Sequence, residues 1–186
     1  MTDLESALLE AVSALESCGL PYMLIGGLAV TAWGEARSTL DVDLSVWAGA
    51  RGLREAVECL SRRMHPRPAD PERFVEQTHV LPLQSKNGVR VDVIFGALEL
   101  QREAVGRAVP KPIAGRSIPV ATIEDLLITK LVSEREKDLG DARALLRRFG
   151  KSLDRDYLLP KLEELAEALS RPEILTVFHA ETGGTS

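Results

Sequence analysis

Apolar residues recur at two different spacings along this chain. In the first segment they fall three or four positions apart, as on one face of an amphipathic helix, at Leu4, Leu8, Ala11, Leu15 and Cys18. Thr2 and Glu5 form a capping-box pattern at the start of this segment, and Gly19 and Pro21 are residues that end helices. The pattern therefore predicts a first helix from Thr2 to Cys18.

The following segments include two with the character of β-strands. The short apolar run "YMLI" at residues 22–25 predicts a buried strand, and "GGLAVTAWG" predicts a helix of small residues that begins at the two glycines. In "STLDVDLSVW" apolar and polar residues alternate. One face of this predicted strand carries Leu40, Val42, Leu44 and Val46, and the other carries Asp41, Asp43 and Ser45.

The remainder of the chain is predicted to complete a mixed sheet and then to become helical. "ARGLREAVECLSRRM" predicts a helix, "HPRPADPER" a proline-rich loop, and "FVEQTHVLPLQS" and "GVRVDVIFG" two strands joined by a turn at 86–88. "RSIPVA" predicts one further strand, and helices follow at "TIEDLLITKLVSERE", "DLGDARALLRRF" and "DRDYLLPKLEELAEAL". The predicted fold class is α+β (α/β), with a sheet domain at 1–121, a helical segment at 122–180 packed on it and a disordered tail at 181–186.

Composition narrows the class of protein. The chain of 186 residues is 45% hydrophobic and 27% charged, with a formal charge of −5, which predicts a globular cytoplasmic protein without a membrane span. The acidic N-terminus is not expected to be a signal peptide, and the acidic balance argues against bulk electrostatic binding to nucleic acid. Cys18 and Cys59 lack a CxxC pattern and are interpreted as small buried hydrophobic residues. The histidines are too scattered to suggest a zinc site.

The candidate chemistry begins with three aspartates in predicted strands. Asp41 and Asp43 project from one face of a strand, about 6–7 Å apart at their Cα atoms, where two carboxylates repel each other unless a cation such as Mg²⁺ or Mn²⁺ lies between them. Asp92 is embedded in the apolar strand "VRVDVIF". If that strand lies beside the first, the three carboxylates converge into a cluster that can hold two metal ions about 3.5–4 Å apart.

Gly26 and Gly27 supply a second candidate feature, because they directly follow a predicted strand and open a predicted helix. Glycine lets a backbone approach a ligand closely, and a helix N-terminus offers free N–H groups to phosphate oxygens. Neither the Walker pattern nor the dinucleotide fingerprint is present. Alone, the pair is more simply interpreted as a tight turn.

The chain resembles the nucleotidyltransferase (DNA polymerase β-like) superfamily in its motif. The motif consists of Gly26-Gly27, a gap of thirteen residues, Asp41-Val42-Asp43 and the later Asp92. Within this superfamily, residues 22–146 are similar to AbiEii/AbiGii-type toxins and related minimal nucleotidyltransferases. This resemblance implies an enzyme that uses Mg²⁺ (or Mn²⁺) and an NTP. The implied metal ligands are Asp41 and Asp43, with Asp92 as third ligand or as base, and the implied triphosphate contacts are the two glycines.

The resemblance also implicates residues outside these motifs. Arg37 and Thr39 would neutralise phosphate or fix the loop before the strand, although a surface arginine and a turn threonine are the plainer interpretation. Lys130 and Arg135 match a K-x4-R motif followed by an acid, Asp138, which implies contacts with the nucleotide. The alternative is a solvated, salt-bridged helix face.

Three functional hypotheses follow from these residues and the resemblance. The first is an Mg²⁺-dependent transferase that moves an NMP from an NTP to a hydroxyl of RNA (such as tRNA), protein or a small molecule, in a toxin–antitoxin or phage-defence system. The second is a non-catalytic or antitoxin-like module that binds a cognate chain, since typical AbiEii toxins are longer and carry a larger helical domain. The third is nucleotidylation of a small molecule such as an antibiotic.

Overall fold

The computed structural model describes residues 1–35, 37–49 and 52–183, and these form two units. The first unit contains Met1–Ala32 and the described residues up to Ala121. The second contains Trp33–Glu35 and the described residues from Thr122 onward. None of the described helices is both long enough and apolar enough to cross a membrane. The predicted packing of the helical segment on the sheet domain stays a prediction.

The first unit is built on one mixed sheet, which confirms the predicted α+β (α/β) class. Its strands, in the part of the chain described, are β1 Tyr22–Ile25, β2 Asp41–Val46, β3 His65–Pro66, β4 Val80–Gln84, β5 Arg90–Phe95, β6 Val109–Ile113 and β7 Arg116–Val120. They follow the order β3-β4-β5-β2-β1-β7-β6 across the sheet. The two strands with the candidate aspartates, β2 and β5, are therefore neighbours, and they pair in parallel.

The helices of the first unit are α1 Asp3–Ser17, α2 Gly26–Ala32, α3 Leu53–Ser61, α4 Pro71–Thr78 and α5 Glu99–Arg107. The predicted capping box is present in α1, where Glu5 N–H donates to the Thr2 hydroxyl and Thr2 N–H donates to the Glu5 carboxylate. The helix predicted over 50–64 corresponds to α3, and its first two predicted positions, 50 and 51, lie outside the described residues.

The apolar positions of the central strands form the core beneath the candidate site. Val42, Leu44, Val91 and Val93 are buried, and they alternate with the aspartates along β2 and β5. The prediction that Leu40 belongs to the apolar face of this strand is wrong. Strand β2 begins one residue later, and Leu40 is 87% exposed.

The region between 65 and 114 departs most from the sequence prediction. Residues 74–78 were predicted as strand but belong to α4, because Asp70 accepts a hydrogen bond from Arg73 N–H and Pro71 occupies the first turn. The predicted proline-rich loop contains the short strand β3. Helix α5 and strand β6 were not predicted at all, whereas the hairpin turn at 86–88 between β4 and β5 is confirmed.

The second unit is helical, as predicted from Thr122 onward. Its helices are α6 Ile123–Leu131, α7 Glu136–Phe149, α8 Arg155–Ala168 and α9 Glu173–Thr182. The Thr122 hydroxyl accepts a hydrogen bond from Asp125 N–H and so caps α6. Because α9 extends to Thr182, residues 181 and 182 are helical rather than part of the predicted disordered tail, and 184–186 lie outside the described residues.

Cys18 and Cys59 form a disulfide, which corrects their interpretation as small buried hydrophobic residues. Cys18 follows α1 and Cys59 lies in α3, at a sequence separation of 41. Sequence spacing alone could not pair them, because the two elements meet only through the tertiary fold.

Reduction of this disulfide is expected to lower the free energy of unfolding by about 4 kcal/mol, because a cross-link closing a loop of this length restricts the unfolded chain. Urea unfolding followed by circular dichroism, with and without dithiothreitol, measures the difference. A C18S/C59S variant should match the reduced wild type. Alkylation of both thiols in the native, non-reduced protein would contradict the prediction.

Candidate active site

The structure brings the carboxylates of Asp41, Asp43 and Asp92 together, with one oxygen of each within 4.8 Å of the others. The strand register explains this convergence. Asp43 lies opposite Asp92 in the parallel pairing of β2 with β5, and Asp41 lies two residues earlier on the same face of β2. The distances place these carboxylates well within reach of a shared metal site.

The donor set suits a hard divalent cation. Mg²⁺ and Mn²⁺ prefer oxygen ligands, and carboxylates are the protein groups that most often supply them. Asp41 and Asp43 are half-buried, and the Asp92 side chain is 14% exposed. The cluster therefore combines partial removal from water with an opening to solvent, and it fits the metal that the sequence predicts.

Gly26 belongs to this site because of what a side chain there would meet. A Cβ at Gly26 would lie 2.1 Å from Asp43 Oδ2, and the residue has a φ of +68°. Ile25 lies opposite Asp43 in the antiparallel pairing of β1 with β2, so the next residue lies against the carboxylate. The absent Cβ makes room for Asp43, a reason for the glycine that the sequence did not reveal.

Gly27 has a similar relation to the segment before β2. A Cβ there would lie 2.8 Å from the Cβ of Thr39. The Thr39 hydroxyl donates a hydrogen bond to Asp41 Oδ1 at 2.9 Å. Thr39 therefore orients one of the three carboxylates, and Gly27 leaves the space that this threonine needs.

Two arginines lie close in sequence to the aspartates, one of them expected and the other not. Arg37 donates from Nη1 to the carbonyl of Ser38 at 2.9 Å. Arg90, which sequence analysis missed, donates from Nε to Asp92 Oδ1 at 2.8 Å. The sequence contained a signal for Arg90, because Arg90 and Asp92 are two positions apart on one predicted strand and must share a face.

Lys130, Arg135 and Asp138 are brought together in the second unit. Lys130 Nζ lies 2.5 Å from Asp138 Oδ1 and 2.9 Å from Asp141 Oδ2, and all three of these residues are buried. Arg135 Nε lies 2.5 Å from Asp138 Oδ2. The alternative of a solvated helix face is therefore wrong for Lys130, while the nucleotide contacts of Lys130 and Arg135 stay predictions.

Asp141 was missed although it lies three positions after Asp138, on the same face of α7. Burial alone would raise the pKa of the Asp138 carboxyl. Hydrogen bonds from Lys130, Ser133 and Arg135, with the charge of Lys130, outweigh burial and hold this pKa below its ordinary value. Asp138 is therefore ionised throughout the neutral range.

The substitution D138N is expected to cost about 3 kcal/mol of unfolding free energy at neutral pH, because it removes one partner of a buried ion pair. Since the folded pKa is lowered, the stabilisation is complete above the unfolded pKa of about 3.9 and is lost as the pH falls through the folded value. Urea titrations at several pH values should therefore show the variant converging on wild type below about pH 4.

The matched control is D156N, which removes an exposed carboxylate in the first turn of α8 in the same unit. It should change the unfolding free energy by no more than about 0.5 kcal/mol. A D138N variant as stable as this control would show that the buried cluster contributes nothing to folding.

A mixed sheet with clustered aspartates on two neighbouring strands, beside a glycine pair after β1, is the arrangement expected of a nucleotidyltransferase. The chain belongs to the nucleotidyl transferase AbiEii toxin family of type IV toxin–antitoxin systems, whose family model matches residues 7–177. It is therefore an enzyme of the nucleotidyltransferase class, as predicted.

Solved structures agree on the fold. The antibiotic-resistance factor ANT(2'')-Ia in solution superposes with a TM-score of 0.60 at 19% identity, over 95% of this chain and 96% of that one. An antigenic nucleotidyltransferase-like protein from Paracoccidioides brasiliensis superposes with a TM-score of 0.53 at 20% identity, over 97% and 94% of the two chains. At these identities the likeness shows the fold alone. Comparison with curated proteins gives no significant match.

Proposed function

We propose that this chain transfers an NMP from an NTP to an acceptor hydroxyl, with Mg²⁺ or Mn²⁺ held by Asp41, Asp43 and Asp92. The observation that carries the proposal is the convergence of these three carboxylates within 4.8 Å. A divalent cation bound there would offset the charge of the transferring phosphoryl group. Three acids on adjacent strands repel one another, and a divalent cation between them would offset that repulsion.

The surrounding residues have defined roles in this proposal. Thr39 orients Asp41 through its hydroxyl, and Gly26 leaves space for Asp43. Asp92 is the third ligand or the base that accepts the proton of the acceptor hydroxyl. These contacts prearrange the acids before substrate binds, which is the main contribution a protein makes to phosphoryl transfer.

Phosphate contacts are assigned to residues that add no negative charge. Gly26 and Gly27 offer backbone N–H groups, and Arg37 offers a guanidinium in the segment leading into β2. Arg135, whose side chain is 66% exposed, is better suited to such a contact than Lys130, because the Lys130 amine is already held by two carboxylates.

The acceptor and the partner chain are proposed from the family. The expected acceptor is a hydroxyl of RNA, such as tRNA, or of a protein. Because the family belongs to toxin–antitoxin systems, the expected partner is a cognate toxin or antitoxin chain. A small-molecule acceptor is the alternative, since ANT(2'')-Ia is an antibiotic-resistance factor with a similar fold.

The test is incubation of the purified protein with each labelled NTP and Mg²⁺, in the presence of total tRNA, cell protein or an aminoglycoside. We expect label in one acceptor class, and none with the D41N/D43N variant or after chelation of the metal. Label that survives in this variant would refute the proposal. No label in any arm, together with partner binding that tolerates D41N/D43N, would favour the non-catalytic module.

A further inference from the structure

Arg90 is a positively charged side chain built into the acidic cluster. It is the first residue of β5 and lies opposite Asp41 in the register with β2. Arg90 and Asp92 are two positions apart, so both side chains project from the face that carries the other two aspartates. The Arg90 side chain is 48% exposed, and its Nε lies 2.8 Å from Asp92 Oδ1.

The guanidinium interacts with the whole cluster rather than with Asp92 alone. Arg90 lies opposite Asp41 across the parallel strand pair and donates to Asp92, which in turn lies opposite Asp43, so its positive charge is adjacent to all three acids. The four side chains therefore hold three negative charges and one positive charge on adjacent positions of two strands.

Metal binding and the Arg90 salt bridge make opposing demands on Asp92. A metal ligand donates oxygen lone pairs to the cation, and the hydrogen bond from Arg90 already uses one lone pair of Oδ1 and draws electron density from the carboxylate. A divalent ion beside the guanidinium would also experience repulsion between like charges. Both effects weaken metal binding for as long as the guanidinium stays on Asp92.

We propose that Arg90 is the internal counter-cation of the metal-free cluster, and that its charge and its salt bridge with Asp92 compete with a divalent cation for the site. This inference rests on the metal site proposed above and assigns a positioning role to a residue outside the predicted set. Arg90 keeps the three acids together without metal, and it sets how much cation is needed to fill the site.

The direct consequence is a change in metal affinity that does not depend on catalysis. In R90Q the competing charge is gone while a polar side chain remains, so the dissociation constant for Mn²⁺ should fall roughly tenfold in the absence of nucleotide. R90K keeps the charge and should bind Mn²⁺ about as weakly as wild type. Calorimetric titration with Mn²⁺, supported by the paramagnetic resonance signal of free Mn²⁺, measures these constants.

The matched control is R102Q, which removes an exposed arginine paired with Glu99 in the same unit. It changes the net charge by the same amount, and it should leave the Mn²⁺ dissociation constant within about twofold of wild type. Thermal unfolding of each variant establishes that it is folded before the titration.

Two results would overturn the inference, and they are distinguishable. If wild type binds Mn²⁺ in a manner abolished by D41N/D43N, but R90Q binds it no more tightly, the role of Arg90 is wrong and the metal site stands. If wild type shows no Mn²⁺ binding that depends on Asp41 and Asp43, the proposed metal site and the inference fail together.

Discussion

D43N is expected to reduce nucleotidyl transfer on the order of a thousandfold while leaving the fold intact. Asp43 lies on the central strand of three, opposite Asp92 of β5 on one side and Ile25 of β1 on the other. Amide for carboxylate removes a charged ligand, and metal ions supply several kcal/mol of transition-state stabilisation in such reactions. Initial rates with the labelled NTP and acceptor measure the effect.

D3N is the control for this experiment. Asp3 is an exposed aspartate in the first turn of α1, in the same unit, so the same charge is removed away from the cluster. Its transfer rate should stay within about twofold of wild type, since exposed charges are well screened. If D43N transfers at a rate similar to that of D3N, Asp43 is not a metal ligand that the reaction needs.

G26A is expected to reduce transfer by about a hundredfold, although position 26 carries no functional group. The new Cβ would lie 2.1 Å from Asp43 Oδ2 and 2.8 Å from its Cγ, so the carboxylate must move. Displacement of a reacting or ligating group by about 1 Å can cost a factor of this size. The positive φ of +68° adds about 1 kcal/mol of backbone strain.

G115A is the control that separates the backbone strain of a positive φ from the steric clash with Asp43. Gly115 also has a positive φ, of +77°, but a Cβ there would meet no atom within 4 Å. This variant should lose about 1 kcal/mol of unfolding free energy and keep its transfer rate. If G26A and G115A have equal rates, the contact between Gly26 and Asp43 has no bearing on catalysis.

The acids could be found from the sequence because a strand has a fixed period. Asp41, Asp43 and Asp92 alternate with apolar residues, and side chains two positions apart on a strand must share a face. That β2 and β5 are neighbours was only an assumption, since no local rule selects which strands lie side by side. The structure shows that pairing. It also places Arg90 beside Asp92 and opposite Asp41, which the sequence alone does not indicate.

Local signals were misread where they conflicted. Val75, Val80, Leu81 and Leu83 made residues 74–85 resemble one long strand, yet the Asp70 cap and Pro71 begin a helix that ends at Thr78. The residue after that helix, His79, has a φ of +56°, and it separates α4 from β4. This helix end is hard to predict, because the residue with positive φ after a helix is usually glycine or asparagine rather than histidine.

The sequence by itself determined the sheet-forming character of the first 121 residues, the helical character of the rest and the three acids, because these depend on spacing within one element. Tertiary structure alone decided that Cys18 bonds to Cys59, that Lys130 is buried between Asp138 and Asp141, and that Gly26 is required by Asp43. Each of these contacts joins residues on different elements. Their proximity depends on how whole hydrophobic faces pack, and no pattern within one segment records it.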